Sequence, residues 1–132
     1  MSIRRLDAAP VTEATKTPVT ATHATTRGSF VLEVNNFSVD YGVGEEMVRA
    51  VSDVSFSLRR STVLGVAGES GSGKSTLVYA MTRLLRAPGI ISGGTVNLHT
   101  TNGVGAGDET IDLVTANEKE LRKIRWSHVS IV

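Results

Sequence analysis

The stretch Gly68-Glu69-Ser70-Gly71-Ser72-Gly73-Lys74-Ser75-Thr76 decides how this chain is read. It fits the pattern G-x-x-x-x-G-K-[ST], with Gly68, Gly73, Lys74 and Ser75 in the fixed positions. An apolar run, Val63-Leu64-Gly65-Val66-Ala67, precedes it, and a helical pattern (Leu77, Val78, Ala80, Met81, Leu84, Leu85) follows. Strand, loop and helix in that order are what a phosphate-cradling loop requires. Glycines let the backbone curl so that successive N–H groups point inward, and the helix N-terminus adds the positive end of a dipole. The expected ligand is a nucleoside triphosphate with Mg²⁺. Lys74 is expected to reach the β- and γ-phosphates, the Ser75 hydroxyl to be the Mg²⁺ ligand and Thr76 to bond the α-phosphate. Gly68, Glu69, Ser70, Gly71, Ser72 and Gly73 are expected to act through their backbone.

Composition sets the outer limits. The chain has 132 residues, room for one small domain, and a net charge of +1, which gives no electrostatic footing for nucleic acid as a partner. Cysteine is absent, so there is no disulfide framework and no thiolate metal site. No apolar run approaches the roughly 20 residues of a membrane helix. A soluble, cytoplasmic protein is the expectation.

Residues 1–29 are rich in Thr, with Ala, Pro and scattered charge but no hydrophobic period, and are expected to be a disordered tail. The ordered domain is expected over residues 30–132. Phe30–Val34 and Phe37–Tyr41 read as two short strands separated by an Asn35-Asn36 turn, and Val54–Leu58 alternates as a half-buried antiparallel strand does. Arg59–Thr62 turns the chain into Val63–Ala67, whose apolar character on both faces predicts burial within a parallel sheet. The helix from Ser75 is expected to end near Arg86, before Pro88 and Gly89, with Thr95–Leu98 the next strand. Thr100–Thr110 reads as a surface loop, with Asp108, Glu109 and Asp112 a solvated acidic cluster. Asn117 and Glu120 form a capping pattern ahead of a short basic helix, Glu118–Arg125, and Ser127–Val132 starts a further strand. His23, His99 and His128 share no metal-ligand spacing. The fold class is α/β.

From about Val31 onward the chain resembles the ATP-binding subunit of ATP-binding-cassette (ABC) transporters. The resemblance rests on VRAVSDVSFSLRRSTVLGVAGESGSGKSTL (Val48–Leu77), which has the family's order of strand, turn, apolar strand and Walker A loop. The spelling GESGSGKS with RLLRAPGIISGGTV (Arg83–Val96) and ELRKIRW (Glu120–Trp126) is most similar to the subfamily importing di- and oligopeptides, nickel or oligosaccharides. The turn before the Walker A strand carries Ser61-Thr62 where the family usually has Gly-Glu, and Thr100–Thr110 looks like an insertion.

The resemblance implies a P-loop NTPase of ABC type, with antiparallel strands ahead of the Walker A unit and an end just short of the Q-loop. It implies ATP and Mg²⁺ as ligands, and it places Tyr41 where the family stacks an aromatic on adenine. Val48 or Arg49 would line that pocket. It implies an ATPase that energises solute import together with a second nucleotide-binding subunit, membrane permease subunits and, indirectly, a solute-binding protein, at the inner face of the cell membrane. The Walker B carboxylates, the LSGGQ signature and the switch histidine have no counterpart in these 132 residues, so the catalytic set within them is none. The alternatives are a nucleotide-binding fragment without turnover and a non-transport ABC ATPase.

Overall fold

The computed structural model describes residues 2–6, 30–42, 47–101 and 108–131. Its main layer is an antiparallel sheet made by β2 (Phe30–Tyr41), β3 (Val48–Arg59), β5 (Gly89–Thr101) and β6 (Asp108–Asp112), in the order β3-β2-β5-β6. A second, two-stranded sheet pairs β1 (Ser2–Leu6) with β4 (Val63–Ala67). Helix α1 (Lys74–Met81) and helix α2 (Glu118–Ser127) complete the set. Leu77 and Ala80 of α1 and Leu121 and Ile124 of α2 join Val34, Phe37, Val39 and Val96 in one buried core. The α/β class stands.

β2 is one strand of 12 residues where the sequence pattern predicts two. The Asn35-Asn36 signal is a bulge: pairing with β3 shifts register between Val34 and Phe37, and pairing with β5 shifts between Asn35 and Ser38. Asn36 sits at φ 49°, in the left-handed region that Asn tolerates better than most residues. Its backbone N–H donates to Ser55 Oγ (2.8 Å) and its side-chain amide to Asp53 Oδ1 (2.7 Å). Across the bulge lies Gly94 at φ 89°. A Cβ there would stand 2.5 Å from both the Asn35 carbonyl oxygen and the Phe37 Cα. The Gly-Gly pair is therefore part of a strand, and β5 runs through it from Gly89 rather than starting at Thr95.

Val63–Ala67 is half-buried to exposed, with Val63 71% accessible, and pairs antiparallel with Ser2–Leu6 in a register from Ser2↔Ala67 to Leu6↔Val63. The parallel setting expected of this strand is corrected here, and its partner is the segment Ser2–Leu6 within the expected tail. Apolar character on both faces measures a need for cover and says nothing of pairing direction. A strand edge presents N–H and C=O groups that need partners, and an extended segment supplies them whatever its own periodicity. The rest of the expected tail, residues 7–29, lies outside the described residues.

The turn into β4 closes with the Thr62 N–H on the Arg59 carbonyl (3.4 Å), and Ser61 takes φ 59° in it. α1 ends at Met81, short of Arg86, because Arg83 takes φ 56°. The Arg83 N–H then returns to the Ala80 carbonyl (3.0 Å) and the Leu84 N–H to the Tyr79 carbonyl (2.8 Å), the Schellman arrangement normally built on glycine. Arg125 of α2 donates to the carbonyls of Thr82 (3.3 Å) and Arg83 (2.7 Å), and so caps α1 from outside.

Thr100–Thr110 is not a loop throughout. β5 extends to Thr101 and Asp108–Asp112 is the paired strand β6, with residues 102–107 outside the described residues. Asp112 is no member of a solvated cluster either: its Oδ1 accepts from the backbone N–H of Val114 (3.0 Å) and Val96 (3.2 Å). α2 has the predicted capping box, with Asn117 Oδ1 accepting from the Glu120 N–H and Glu120 Oε2 from the Asn117 N–H, each at 3.0 Å. It runs on to Ser127, and no strand starts there among the described residues.

The Gly93-Gly94 pair offers a controlled test. Gly94→Ala is expected to destabilise the fold by at least about 2 kcal/mol, from the left-handed backbone and the overpacking together. Gly93→Ala, where an added Cβ meets nothing within 4 Å, should shift stability by less than about 0.5 kcal/mol. Urea titrations followed by circular dichroism compare them, and equal midpoints would show that the bulge imposes no such constraint.

Candidate functional site

The loop Gly68–Gly73 joins the end of β4 to the start of α1. It turns on itself through the Ser72 N–H and the Glu69 carbonyl (3.2 Å), and the helix opens with the Leu77 N–H on the Gly73 carbonyl (2.8 Å). Gly71 and Gly73 take φ 79° and 84°. Gly73 is also the N-cap residue of α1, and a Cβ on it would run into the Ala50 carbonyl of β3. Any side chain at this position would push the loop off the sheet. The first-turn N–H groups of α1 have no acceptor inside the helix, and no acidic side chain occupies that turn, so the positive helix end is left open.

Lys74 folds back across the loop. Its Nζ donates to the carbonyls of Gly68 (2.8 Å) and Glu69 (2.5 Å) and to Ser72 Oγ (3.2 Å), which uses all three ammonium hydrogens. A cleft of about 200 Å³ lies beside it, lined by Tyr41, Ala50, Gly71, Ser72, Gly73, Lys74, Ser75 and Thr76. Tyr41, 27 or more positions upstream of the loop in sequence, reaches this wall because β2 ends there. Gly68, Glu69 and Ser70 belong to the loop but not to the cleft wall. Val48 and Arg49 also stand outside the wall, and Ala50 takes the place that the sequence reading gives to one of them. The β2–β3 register shifts between Val39↔Val51 and Asp40↔Arg49, which leaves Ala50 as the extra residue on β3, and the sequence carries no signal for that shift.

Arg49 is committed elsewhere. Its Nε donates to Asp40 Oδ1 (2.9 Å) and an Nη to Asp40 Oδ2 (3.2 Å), a forked pair across the β2–β3 register next to Tyr41↔Val48. The guanidinium, with a hydrogen bond from Ser92 second, holds the Asp40 carboxyl below the usual carboxylate range. Of the histidines, His99 joins strands, with Nε2 2.6 Å from Glu33 Oε2 and Nδ1 2.8 Å from Thr110 Oγ1. His128 Nδ1 lies 2.6 Å from Ser127 Oγ, and His23 is outside the described residues. No helix among the described residues is long and apolar enough to cross a membrane.

The ABC transporter family matches residues 51–127. The dipeptide transport ATP-binding protein DppD of Caldanaerobacter subterraneus subsp. tengcongensis is 36% identical over 104 residues, 79% of this chain and 29% of that protein. The oligopeptide transport ATP-binding protein OppD of Salmonella typhimurium is 35% identical over 113 residues, 86% of this chain and 30% of that protein. The glutathione import ATP-binding protein GsiA of Escherichia coli is 32% identical over 102 residues, 77% of this chain and 16% of that protein. The chain thus spans less than a third of the length of these relatives.

Asp40 generates a pH prediction. Its folded pKa lies below the unfolded value of about 3.9, so its contribution to stability is present above that value and is lost as pH falls through the folded one. Asp40→Asn should lower the melting temperature near neutral pH, and the gap to the unmodified protein should close as the solution is acidified. Thermal melts across an acid series measure this. A gap that stays constant to the lowest pH would remove the Arg49–Asp40 pair as its cause.

Proposed function

We propose, because this chain belongs to the ABC transporter family, that it supplies the ATP-binding face of a subunit energising solute import, with a di- or oligopeptide as the best-supported cargo class. The observation that carries the reading is the cleft that gathers Tyr41 with residues 71–76. One wall is an aromatic ring and the other a glycine loop, a cation and a helix N-terminus. That combination suits a ligand with a flat base at one end and phosphates at the other. The peptide assignment follows the names of relatives, which concern peptide and glutathione transport.

In this reading Gly68–Thr76 is the Walker A loop. Lys74 exchanges some of its loop carbonyls for β- and γ-phosphate oxygens, and the backbone of Gly68, Glu69, Ser70, Gly71, Ser72 and Gly73 shapes the cradle. Thr76 bonds the α-phosphate, Ser75 Oγ holds Mg²⁺, and Tyr41 stacks on adenine. Mg²⁺, when bound, neutralises phosphate charge. The chain's own part is to position the triphosphate and balance its charge. Among the described residues the cleft wall contains no carboxylate, and the nearby Asp40 is paired with Arg49. Turnover belongs to the complete subunit working with a second nucleotide-binding subunit and membrane permease subunits, at the inner face of the membrane, on a solute handed over by a binding protein. The nucleotide-binding unit starts at Phe30, with β1 as an added strand.

Lys74→Ala should weaken ATP·Mg²⁺ binding by about 10- to 150-fold, the worth of one charge-assisted contact of roughly 1.5–3 kcal/mol. The 132-residue chain should release phosphate no faster than this variant. Titration of a fluorescent ATP analogue and a phosphate-release assay are the two measurements. Unchanged affinity would remove Lys74 from the site, and Lys74-dependent turnover would show that a catalytic group is present in these residues.

Tyr41→Ala should cost about 1–3 kcal/mol of ATP affinity, the worth of one base–aromatic stack, and Tyr41→Phe should be nearly silent. A large loss with Phe would assign the work to the hydroxyl and rule out stacking as the source of affinity.

A further inference from the structure

α2 buries Leu121 and Ile124, at 2% and 4% accessibility, against the sheet. On the opposite side Lys119, Arg122, Lys123 and Trp126 are all exposed, and at about 100° per residue they share one arc roughly 100° wide. Trp126 is 88% exposed and is the only tryptophan in the chain. The two acids of the helix lie to the sides of the arc and are engaged. Glu118 faces Arg125 at 3.8 Å, and Glu120 closes the capping box with Asn117. Lys123 stands at the margin, where it shares a small groove with Glu109 and Glu120. Lys119 and Arg122 make no hydrogen bond or ion pair among the described residues. In a chain of net charge +1, this face is a local excess of positive charge built around an exposed indole.

We propose that the Lys119–Arg122–Trp126 face of α2 docks on an anionic lipid bilayer, with the cations at headgroup phosphates and the indole at the headgroup level. Cations near an anionic surface and tryptophan at the membrane–water boundary are each favoured there. The apolar residues of the helix are already in the core, and the small groove beside Lys123 is lined by none of Lys119, Arg122 and Trp126. A soft interface can close around a protruding ring, and α2 lies on the surface without inserting. The idea is independent of nucleotide binding, and its test contains none.

Trp126 is its own reporter. The full chain is titrated with vesicles of phosphatidylcholine alone and of phosphatidylcholine mixed with phosphatidylglycerol. Its emission should move to the blue and become shielded from acrylamide only with the anionic vesicles, and high salt should reverse both changes. Each cation removed is expected to weaken partitioning roughly fivefold, so the double variant Lys119→Gln/Arg122→Gln should lose about thirtyfold. Its far-ultraviolet circular dichroism should match the unmodified chain, since both side chains are exposed. Trp126→Phe, followed by vesicle sedimentation, should also bind more weakly. Unchanged emission on anionic vesicles, equal binding to both vesicle types, or full partitioning by the double variant would each overturn the proposal. The first is also the result if the face serves an acidic protein.

Discussion

Val34 and Phe37 are three residues apart on one strand, and both are fully buried. Successive side chains on a strand alternate between faces, so residues an odd number apart point to opposite sides. β2 can satisfy both only by taking in an extra residue, and Asn35-Asn36 is where it does so. The adjustments around it follow from that one demand. Asn36 goes to positive φ and is held by Ser55 and Asp53, Asp53 itself goes to φ 49° with its N–H on Ser38 Oγ (3.0 Å), and position 94 has to be glycine. Beyond the bulge the strand is re-phased. Val39 falls into the core behind Phe37, and Tyr41, two residues on, ends at the mouth of the cleft.

Two arginines tie the end of α1 to the segments beside it. Arg83, in the left-handed region at the end of α1, sends an Nη to the Val114 carbonyl (2.9 Å) just after β6. Arg125 reaches from α2 to the last carbonyls of α1. The end of a helix leaves carbonyls without acceptor partners, and a cation there also answers the negative end of the dipole. The same residues thus terminate α1 and fix α2 against it, so the short helix needs no Pro or Gly at its stop.

What could be read from the sequence was what is decided locally. The glycine loop between β4 and α1 and the Asn117–Glu120 cap rest on contacts within a few residues, and each leaves a pattern. The Asn35-Asn36 signal was correct about backbone conformation and wrong about its consequence, because only the cross-strand partners decide whether a left-handed residue reverses a chain or bulges it. The strand expected at Thr95–Leu98 starts earlier, at Gly89, because Gly94 makes room for the bulged β2 and lets β5 pass. Asp112 reads as solvated charge since its two N–H partners, Val96 and Val114, are gathered by folding. The pairing of Ser2–Leu6 with β4 had no sequence mark, because backbone pairing at an edge does not depend on side-chain period.

The two ends of the cleft are carried by separate sheets, and their alignment has one mechanical route. Tyr41 terminates β2, which pairs with β3, while the glycine loop hangs from β4, whose only strand partner among the described residues is β1. The loop meets the larger sheet where Gly73 lies against the Ala50 carbonyl, and α1 is pinned behind it by the buried Leu77 and Ala80. A substitution that tilts α1 would therefore change the distance from Tyr41 to Lys74 without altering either residue. The loop also arrives already shaped, since Lys74 draws Gly68, Glu69 and Ser72 around its own ammonium group. A phosphate entering there would exchange contacts within an existing geometry and would not have to order the loop, which lowers the entropic cost of binding. Affinity would then measure the difference between two sets of charge-assisted bonds to one cation.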